Sequence, residues 1–267
     1  MNRIYIVSSN RKKDKKFAAS MAKSGIEVLY AKDASDYDPK TDLLMTDIPK
    51  VADSINKSLI LIDKESDLDN FPNSVYFVMN PEENEADYFI KIWQRFHDIP
   101  WTIAKTERLT LRETVEEDVD AFYEMYKDPD MTRYTEKLYE DIEDEKKYVR
   151  EYRDRVYAVQ GFGIWTVIRT DDGAIIGRAG LITRAGFEDA EVGFAIGTAY
   201  QRKGYAYEAV SECIKIAKKL ELEKVYALTM PENEPSTELL KKLGFSFAKA
   251  ATVDRTVYEK WEKMLRQ

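Results

Sequence analysis

One stretch of twenty residues constrains the fold of this chain more than any other. Residues 191–210 read EVGFAIGTAYQRKGYAYEAV, in which an apolar run ends at Gly197 and a basic turn precedes a helical pattern. The sequence predicts a strand over Glu191–Ile196 and a helix over about Tyr205–Leu220. A strand joined to an amphipathic helix by a short turn is typical of a layered α/β protein.

The turn Gln201–Ala206 has the features of an anion-binding site. The first N–H groups of a helix lack partners and carry about half a positive charge, so they attract anions. Gly204 permits close approach, and Arg202 and Lys203 add charge. The predicted ligand is a phosphate group, although the turn alone is equally consistent with plain surface charge. The spacing matches neither the G-x-x-x-x-G-K-[ST] loop nor the G-x-G-x-x-G loop.

Composition excludes several kinds of chemistry. The 267 residues include one cysteine, Cys213, and one histidine, His97. These are too few for an internal disulfide, a Ser-His-Asp triad or a metal site built on cysteine or histidine pairs, so no metal is predicted. The net charge of −8 argues against general nucleic-acid binding, which needs a basic face.

The apolar runs are short. The longest, such as Leu59–Ile62 and Val75–Met79, fall far below the roughly 20 residues that span a bilayer. The start, MNRIYIVSSNRKKDKK, places charge after a short β-like run, which is the wrong order for a signal peptide. These features predict a cytoplasmic protein without a membrane partner.

Residues 1–103 alternate strand-like and helix-like segments, and the length of the chain favours two domains. Continuous apolar strands between helices predict a small three-layer parallel sheet, Rossmann- or flavodoxin-like, acting as an accessory domain. The predicted strands are Ile4–Ser8, Ile26–Ala31, Leu43–Thr46, Leu59–Ile62 and Val75–Met79, and the predicted helices are Asp14–Ser24, Pro49–Lys57 and Glu83–Phe96.

One segment of this first domain, DLLMTDIP at Asp42–Pro49, resembles the third strand of response-regulator receiver domains. The resemblance implies Asp47 as the phosphorylated aspartate. Receivers hold Mg²⁺ with an acidic pair after the first strand, where this chain has Ser8, Ser9 and Asn10. Neutral side chains make a poor Mg²⁺ site. A scaffold or ligand-sensing domain is therefore the favoured interpretation.

Residues 104–267 form the second predicted domain, which begins after Pro100 ends the preceding helix. Its pattern is a strand, helices, a three-stranded meander, and then helices alternating with strands. The predicted strands are Thr110–Arg112, Gly161–Arg169, Ala174–Thr183, Glu188–Ile196, Val225–Met230, Phe245–Ala251 and Thr256–Lys260, and the predicted helices are Glu136–Arg155, Tyr205–Leu220 and Glu234–Leu243.

Two signatures lie in matching strand and helix settings. The first is Q-x-x-G-x-A at Gln201–Ala206, and the second is N-x-x-S-x-x-L at Asn233–Leu239, followed by Leu243–Phe245. Together they resemble the acyl-CoA-binding core of the GNAT superfamily of N-acetyltransferases. Glu107–Tyr134 is similar to the ribosomal-protein alanine acetyltransferase branch. The resemblance covers residues 104–267 and implies a mixed, mainly antiparallel sheet flanked by helices.

The resemblance implies that acetyl-CoA is the acyl donor and a primary amine the acceptor. The CoA diphosphate would lie on the N–H groups of the basic turn, and the pantetheine arm along a strand that splays from its neighbour. The residues implied in cofactor binding are Phe194, Ala195, Ile196, Gln201, Arg202, Lys203, Gly204, Tyr205, Ala206, Asn233 and Ser236.

Acetyl transfer to an amine requires a base, because an alkyl ammonium has a pKa of about 10.4. The resemblance implies Glu191 in this role. Alternation places Glu191, Gly193 and Ala195 on one strand face, where the two small residues leave space for the acceptor. A backbone N–H near Ala195 or Ile196 would stabilise the developing oxyanion.

The proton donor to the CoA thiolate is not assigned. Many relatives place a tyrosine where this chain has Leu240. Ser236 is predicted to position a water near the sulfur, or the thiolate leaves unassisted. This departure, with the extra domain, keeps open a second hypothesis of an acyl-CoA-binding regulatory protein without catalysis. A third is a nucleotide or phospho-signal binder in which the basic turn is incidental.

The first helices of the second domain are expected to line the acceptor site. Met131–Tyr134 and the acidic region Glu136–Glu145 are the candidate segments. An acidic rim would attract a polyamine, an aminoglycoside or a basic peptide N-terminus without distinguishing them. The sequence leaves open whether the protein is a homodimer.

Overall fold

The structure is a computed structural model that describes residues 1–55 and 57–266. The chain divides into two compact units, of which the first is Met1–Trp101 and the second begins at Thr102. The predicted boundary after residue 103 falls inside the strand Thr102–Lys105, with which the second unit begins. Among the described residues, no helix combines the length and the apolar character that crossing a membrane requires.

The first unit is a five-stranded, fully parallel sheet with helices between its strands. The strands are β1 (Arg3–Val7), β2 (Glu27–Ala31), β3 (Asp42–Thr46), β4 (Leu59–Leu61) and β5 (Phe77–Val78), and the helices are α1 (Lys15–Ala22), α2 (Pro49–Ser54) and α3 (Ala86–Phe96). The strand order is β2-β1-β3-β4-β5. Strands β3 and β4 are buried along their whole length, as expected for a parallel sheet covered on both faces. The predicted parallel α/β sheet is confirmed.

Asp47 lies just after β3 and is engaged by the loop that follows β1. Its carboxylate accepts hydrogen bonds from the Ser8 hydroxyl at 2.5 Å and from the Ser9 N–H at 2.9 Å. Both oxygens therefore have partners within the chain, and phosphorylation at Asp47 stays a minor prediction. The helix predicted over Pro49–Lys57 ends at Ser54, and Asn56 lies outside the described residues.

The second unit contains an eight-stranded sheet flanked by helices. Its strands are β6 (Thr102–Lys105), β7 (Leu109–Glu113), β8 (Ile164–Arg169), β9 (Ile175–Ile182), β10 (Ala190–Ile196), β11 (Lys224–Thr229), β12 (Ser246–Val253) and β13 (Thr256–Met264). Its helices are α4 (Val119–Tyr126), α5 (Pro129–Thr132), α6 (Ile142–Tyr152), α7 (Ala158–Gln160), α8 (Tyr205–Lys219) and α9 (Glu234–Lys242), with a π-helical turn at Arg153–Tyr157.

The strand order of this sheet is β12-β13-β11-β10-β9-β8-β7-β6. Every pairing is antiparallel except the one between β10 and β11, which are joined through α8. This arrangement confirms the predicted mixed, mainly antiparallel sheet. Helix α8 packs on one face of the sheet, where Val192 and Ile196 meet Val210 and Cys213. Cys213 is fully buried, which raises the pKa of its thiol well above the ordinary range.

In the second unit, one helix starts later than predicted and one strand was not predicted. The helix predicted over Glu136–Arg155 begins only at Ile142, because the Asp141 side chain accepts from the Glu143 N–H at 2.8 Å and caps it there. Strand β6 was not predicted, since its four residues are too few to show an alternating pattern.

A buried ion pair joins β7 and β8 to the residues that lead into α4. The Asp118 carboxylate, 1% exposed as a residue, accepts from the Arg112 guanidinium at 2.6 and 2.7 Å. It also accepts from the Thr166 hydroxyl at 2.7 Å and from the Val115 N–H at 3.1 Å. All these donors converge on one carboxylate, so its loss would leave the half-buried Arg112 guanidinium without a counter-ion.

We expect Asp118→Ala to lower the free energy of unfolding by about 3–5 kcal/mol, the usual cost of breaking a buried pair. The exposed pair of Glu124 with Lys127 provides the control, and Glu124→Ala should change stability by less than about 1 kcal/mol. Denaturant unfolding of the full chain measures both. Equal effects of the two substitutions would contradict the role given to Asp118.

Candidate active site

Strands β10 and β11 separate soon after they begin. They pair only at Ala190 with Val225 and at Glu191 with Tyr226. Beyond Glu191, β10 continues to Ile196 along β9 alone. A gap therefore opens in the sheet beside the second half of β10.

The direction of the peptide groups follows from two hydrogen bonds at the end of β10. The Gly197 N–H donates to the Ile176 carbonyl of β9 at 2.9 Å, and the Gln201 side chain donates to the Ile196 carbonyl at 2.9 Å. The Ile196 carbonyl therefore faces away from β9. Because peptide groups alternate along a strand, those of Phe194 and Ile196 face the gap, whereas those of Ala195 face β9. Of the two predicted oxyanion donors, only Ile196 is directed into the gap.

A large open cleft of about 1550 Å³ runs through this gap. Its walls are formed by β10 and β11, the loop before α8, the start of α9, and the segment that follows α4. Most of the residues predicted from the sequence line it, namely Glu191, Phe194, Ala195, Ile196, Gln201, Arg202, Gly204, Tyr205, Ala206, Asn233 and Ser236.

The basic turn before α8 has an unusual backbone. Arg202 has φ of 59° and Gly204, the N-cap residue, has φ of 85°, both in the left-handed region. No side chain caps the first N–H groups of α8, so they remain available to a ligand. Arg202 lines the cleft, but Lys203 does not. The Lys203 ammonium instead donates to the Ala199 carbonyl at 2.9 Å.

Residues near the start of the second unit hold this turn in place. The Glu208 carboxylate, in the first turn of α8, accepts from the Thr106 hydroxyl at 2.5 Å and from the Arg108 N–H at 2.9 Å. The Arg108 guanidinium donates to Glu208 at 2.7 Å and to the Lys203 carbonyl at 3.0 Å. Burial tends to raise the pKa of Glu208, but the hydrogen bonds from Thr106 and Arg108 lower it overall.

The far wall of the gap contains a buried hydroxyl without an internal partner and a side chain that caps a helix. The Thr229 hydroxyl of β11 is buried and has no hydrogen-bond partner among the described residues. The Asn233 side chain caps α9 by accepting from the Ser236 N–H at 3.3 Å. Leu240 is fully buried in the core and cannot act on a ligand. These groups suit the polar backbone of a pantetheine arm, whose amides could satisfy Thr229.

Glu191 is buried beside the point where the strands part. Its carboxylate accepts from the Arg184 Nε at 2.7 Å and from the Tyr226 hydroxyl at 3.4 Å. The second carboxylate oxygen, Oε1, has a longer contact of 3.5 Å with Arg184. Glu191 thus raises the pKa of Arg184, and burial together with Glu191 raises that of Tyr226. The ion pair of Arg184 with Glu191 was not predicted from the sequence.

The segments predicted to line an acceptor site contribute unequally to the cleft. Met131 and Tyr134 line it. The acidic segment contributes less, because only Glu136 of the segment 136–145 lines the cleft and it lies 3.5 Å from Arg184. Tyr126, Tyr152 and Arg178 also line the cleft, and they were not predicted from the sequence. Burial raises the pKa of Tyr152 to about 12, so its hydroxyl remains protonated.

No cluster of three or more histidine, cysteine, aspartate or glutamate side chains suits a metal ion within residues 1–55 and 57–266.

The match to a protein family identifies the class of protein to which the chain belongs. The family model described as acetyltransferase (GNAT) domain matches residues 108–246, just over half of the chain. The chain belongs to the GNAT acetyltransferase family. The matched region lies wholly within the second unit.

Individual relatives agree with this GNAT assignment. The chain is 31% identical over 144 residues to the uncharacterized N-acetyltransferase p20 of Bacillus licheniformis, covering 52% of this chain and 80% of the relative. It is 26% identical over 158 residues to a ribosomal protein uS5 alanine N-acetyltransferase of Escherichia coli, covering 55% and 80%. The similarity to the alanine acetyltransferase branch is therefore confirmed.

A solved structure supports the fold. The ribosomal-protein-S5-alanine acetyltransferase of Vibrio fischeri superposes with a TM-score of 0.52 at 22% identity, covering 60% of this chain and 95% of that protein. Family membership confirms the predictions of an acyltransferase and of acetyl-CoA as its acyl donor.

The Glu208 contacts generate a prediction about pH. Since the pKa of Glu208 is lower in the folded GNAT unit than its ordinary value of 4.5, its carboxylate stabilises the fold above about pH 4.5, and this contribution is lost as the pH falls further. The melting temperature of Glu208→Gln should therefore lie below that of the wild type at pH 7, and the difference should shrink as the pH falls through the lowered pKa of Glu208. Exposed Glu223, paired with Arg266, is the control, and Glu223→Gln should give a small, nearly constant difference.

Proposed function

We propose that this chain transfers an acetyl group from acetyl-CoA to a primary amine by direct attack on the thioester. The main support is the gap between β10 and β11, where the peptide groups of Phe194 and Ile196 face an open cleft beside the uncapped start of α8. The acceptor amine is that of a peptide N-terminus or of a small molecule. The ribosomal-protein relatives favour the former, and the size of the cleft permits either.

The donor site uses the groups that a long phosphorylated thioester needs. The N–H groups of Gln201–Ala206 receive the diphosphate, and the Arg202 guanidinium adds a charge-assisted contact. The pantetheine arm takes the place of the missing strand partner by hydrogen bonding to the peptide groups of Phe194 and Ile196. Asn233 and Ser236 border the arm from α9.

The reacting groups are placed around Gly193 and Ala195. Glu191 takes a proton from the acceptor ammonium, directly or through a water, and the neutral amine then attacks the thioester carbonyl. The accepting atom is Oε1, whose contact with Arg184 is the longer one. The Ile196 N–H stabilises the oxyanion that develops on the thioester carbonyl. Ser236, whose hydroxyl has no partner among the described residues, positions a water near the leaving sulfur.

Donor binding gives the first test of this proposal. Gly204→Val places a β-branched residue at φ of 85°, which costs about 1–2 kcal/mol or more, and sets its Cβ 3.3 Å from the Arg108 guanidinium. We expect this variant and Arg202→Ala to raise the Kd for acetyl-CoA by about tenfold. Lys203→Ala is the matched control, because its ammonium lies outside the cleft wall. Isothermal titration measures all three.

An unchanged Kd in Gly204→Val and Arg202→Ala would contradict the donor site. If acetyl-CoA failed to bind the wild type while a nucleotide did, the interpretation as a nucleotide-binding protein would replace the proposal.

Catalysis gives the second test. Glu191→Gln should leave acetyl-CoA binding within about threefold while lowering kcat by about 10²–10⁴, the usual contribution of a general base, and flatten the acid limb of the pH–rate profile. Glu136→Gln is the control, since Glu136 contacts the same Arg184 from an exposed position. Equal losses in both variants would mean that Glu191 acts by holding Arg184. Acetyl-CoA binding without acetylated product from any amine would favour the regulatory alternative.

A further inference from the structure

Arg178 of β9 lines the cleft and carries a charge that the proposed function does not use. The register pairs Arg178 with Ala195, so both side chains project from the same face of the sheet as Glu191 and Gly193. The Cα atoms of such a cross-strand pair lie about 4.5–5.5 Å apart. Arg178 therefore lines the cleft next to the place where the acetyl group and the amine must meet.

The contacts of Arg178 leave most of its donors unused. Its guanidinium lies over the rings of Phe122 at 4.8 Å and Tyr126 at 5.6 Å, and its Nη2 lies 2.9 Å from the Tyr126 hydroxyl. In the part of the chain that the structure describes, no carboxylate lies within 4 Å of it. The nearby Glu145 is buried, and its carboxylate accepts from the Tyr139 N–H at 3.0 Å. A guanidinium has five N–H donors, so Arg178 can still bind a carboxylate in a bidentate manner.

Arg184, which also lines the cleft, shows the contrast. It lies 2.7 Å from Glu191 and 3.5 Å from Glu136, so its charge is balanced within the protein. Arg178 is half-buried and contacts aromatic rings and a hydroxyl, and its nearest carboxylate, that of Glu145, forms no ion pair with it. Burial of a cation without a counter-ion is costly, and an anion from the ligand would offset that cost.

We infer that the acceptor carries a carboxylate a few bonds from its reactive amine, and that Arg178 binds this carboxylate. The inference rests on the proposed function, because it assigns the second anchor of the same acceptor. Two sources have this chemistry, namely a free amino acid and a peptide whose N-terminal residue is aspartate or glutamate. The assignment differs from the cationic acceptors expected from the sequence, since a polyamine would set a second ammonium against Arg178.

The test compares acceptors that differ only in the carboxylate. Free amino acids are assayed against their amides, and peptides beginning with aspartate or glutamate against those beginning with asparagine or glutamine. The wild type should prefer the carboxylate member of at least one pair by tenfold or more in kcat/KM. Arg178→Gln should lower kcat/KM for that acceptor by about 10- to 100-fold and leave the neutral member within about threefold, because only a charge-assisted contact is lost.

Two variants separate recognition from structure. Arg178→Lys keeps the charge and should retain part of the preference, even if Arg178→Gln loosens the packing of α4. Arg155 is exposed and pairs with Glu151, so Arg155→Gln should leave kcat/KM unchanged for both acceptors of each pair. A wild type that acetylates amides or polyamines as well as carboxylates, or a loss in Arg178→Gln that is equal for both members, overturns the role of Arg178.

A thermal-shift measurement with acetyl-CoA separates a failure of the proposed function from a failure of the acceptor assignment. Acetyl-CoA should raise the Tm of the wild type and of Arg178→Gln equally, because Arg178 lies outside the donor site. No thermal shift in the wild type overturns the proposed function and the acceptor assignment together. A normal shift with product from neutral amines only overturns the acceptor assignment and leaves the proposed function intact.

Discussion

The rest of the site depends on the early separation of β10 from β11. A central strand normally exchanges hydrogen bonds on both sides, and buried peptide groups without partners are costly. After Glu191, β10 has a partner only in β9, so one side of its backbone must be satisfied by a ligand or by water. The neighbouring features fit a ligand there. Gly193 and Ala195 keep the adjacent face open, and Gly204 exposes the first amides of α8 at the end of the gap.

Local patterns carried enough information to predict much of this architecture. The helix α8, its glycine N-cap and the apolar strand before it are all encoded within about thirty consecutive residues, and the structure places them close to the predicted bounds. Long-range features were harder to predict. Arg184 and Glu191 lie on either side of the turn between two strands. The alternating pattern of a strand predicts which face a side chain occupies, but not which carboxylate a guanidinium will contact. Helix α6 starts later than predicted because Asp141 caps it. In a segment with many charged residues, the sequence does not show which aspartate will be the N-cap.

The acidic segment Glu136–Glu145 contributes little to the cleft. It was expected to attract a cationic acceptor, but the acidic residues near α6 are mostly capping, buried or paired. The sequence did contain one usable signal. Arg178 is the only charged residue in the run AIIGRAGLIT, and a charge inside an apolar strand must find a partner or a ligand. Its significance depends on register, which decides whether it faces the core or a cleft.

The contacts of Thr106 and Arg108 with Glu208 also bear on when the protein becomes competent during its synthesis. About one hundred residues separate these partners, so the first strands leave the ribosome long before the carboxylate that they clamp. Closing so large a loop is slow compared with forming α8 itself. Helix α8 can thus form before Arg108 fixes the turn at Gln201–Ala206, so the proposed donor site takes shape only after these distant residues have met.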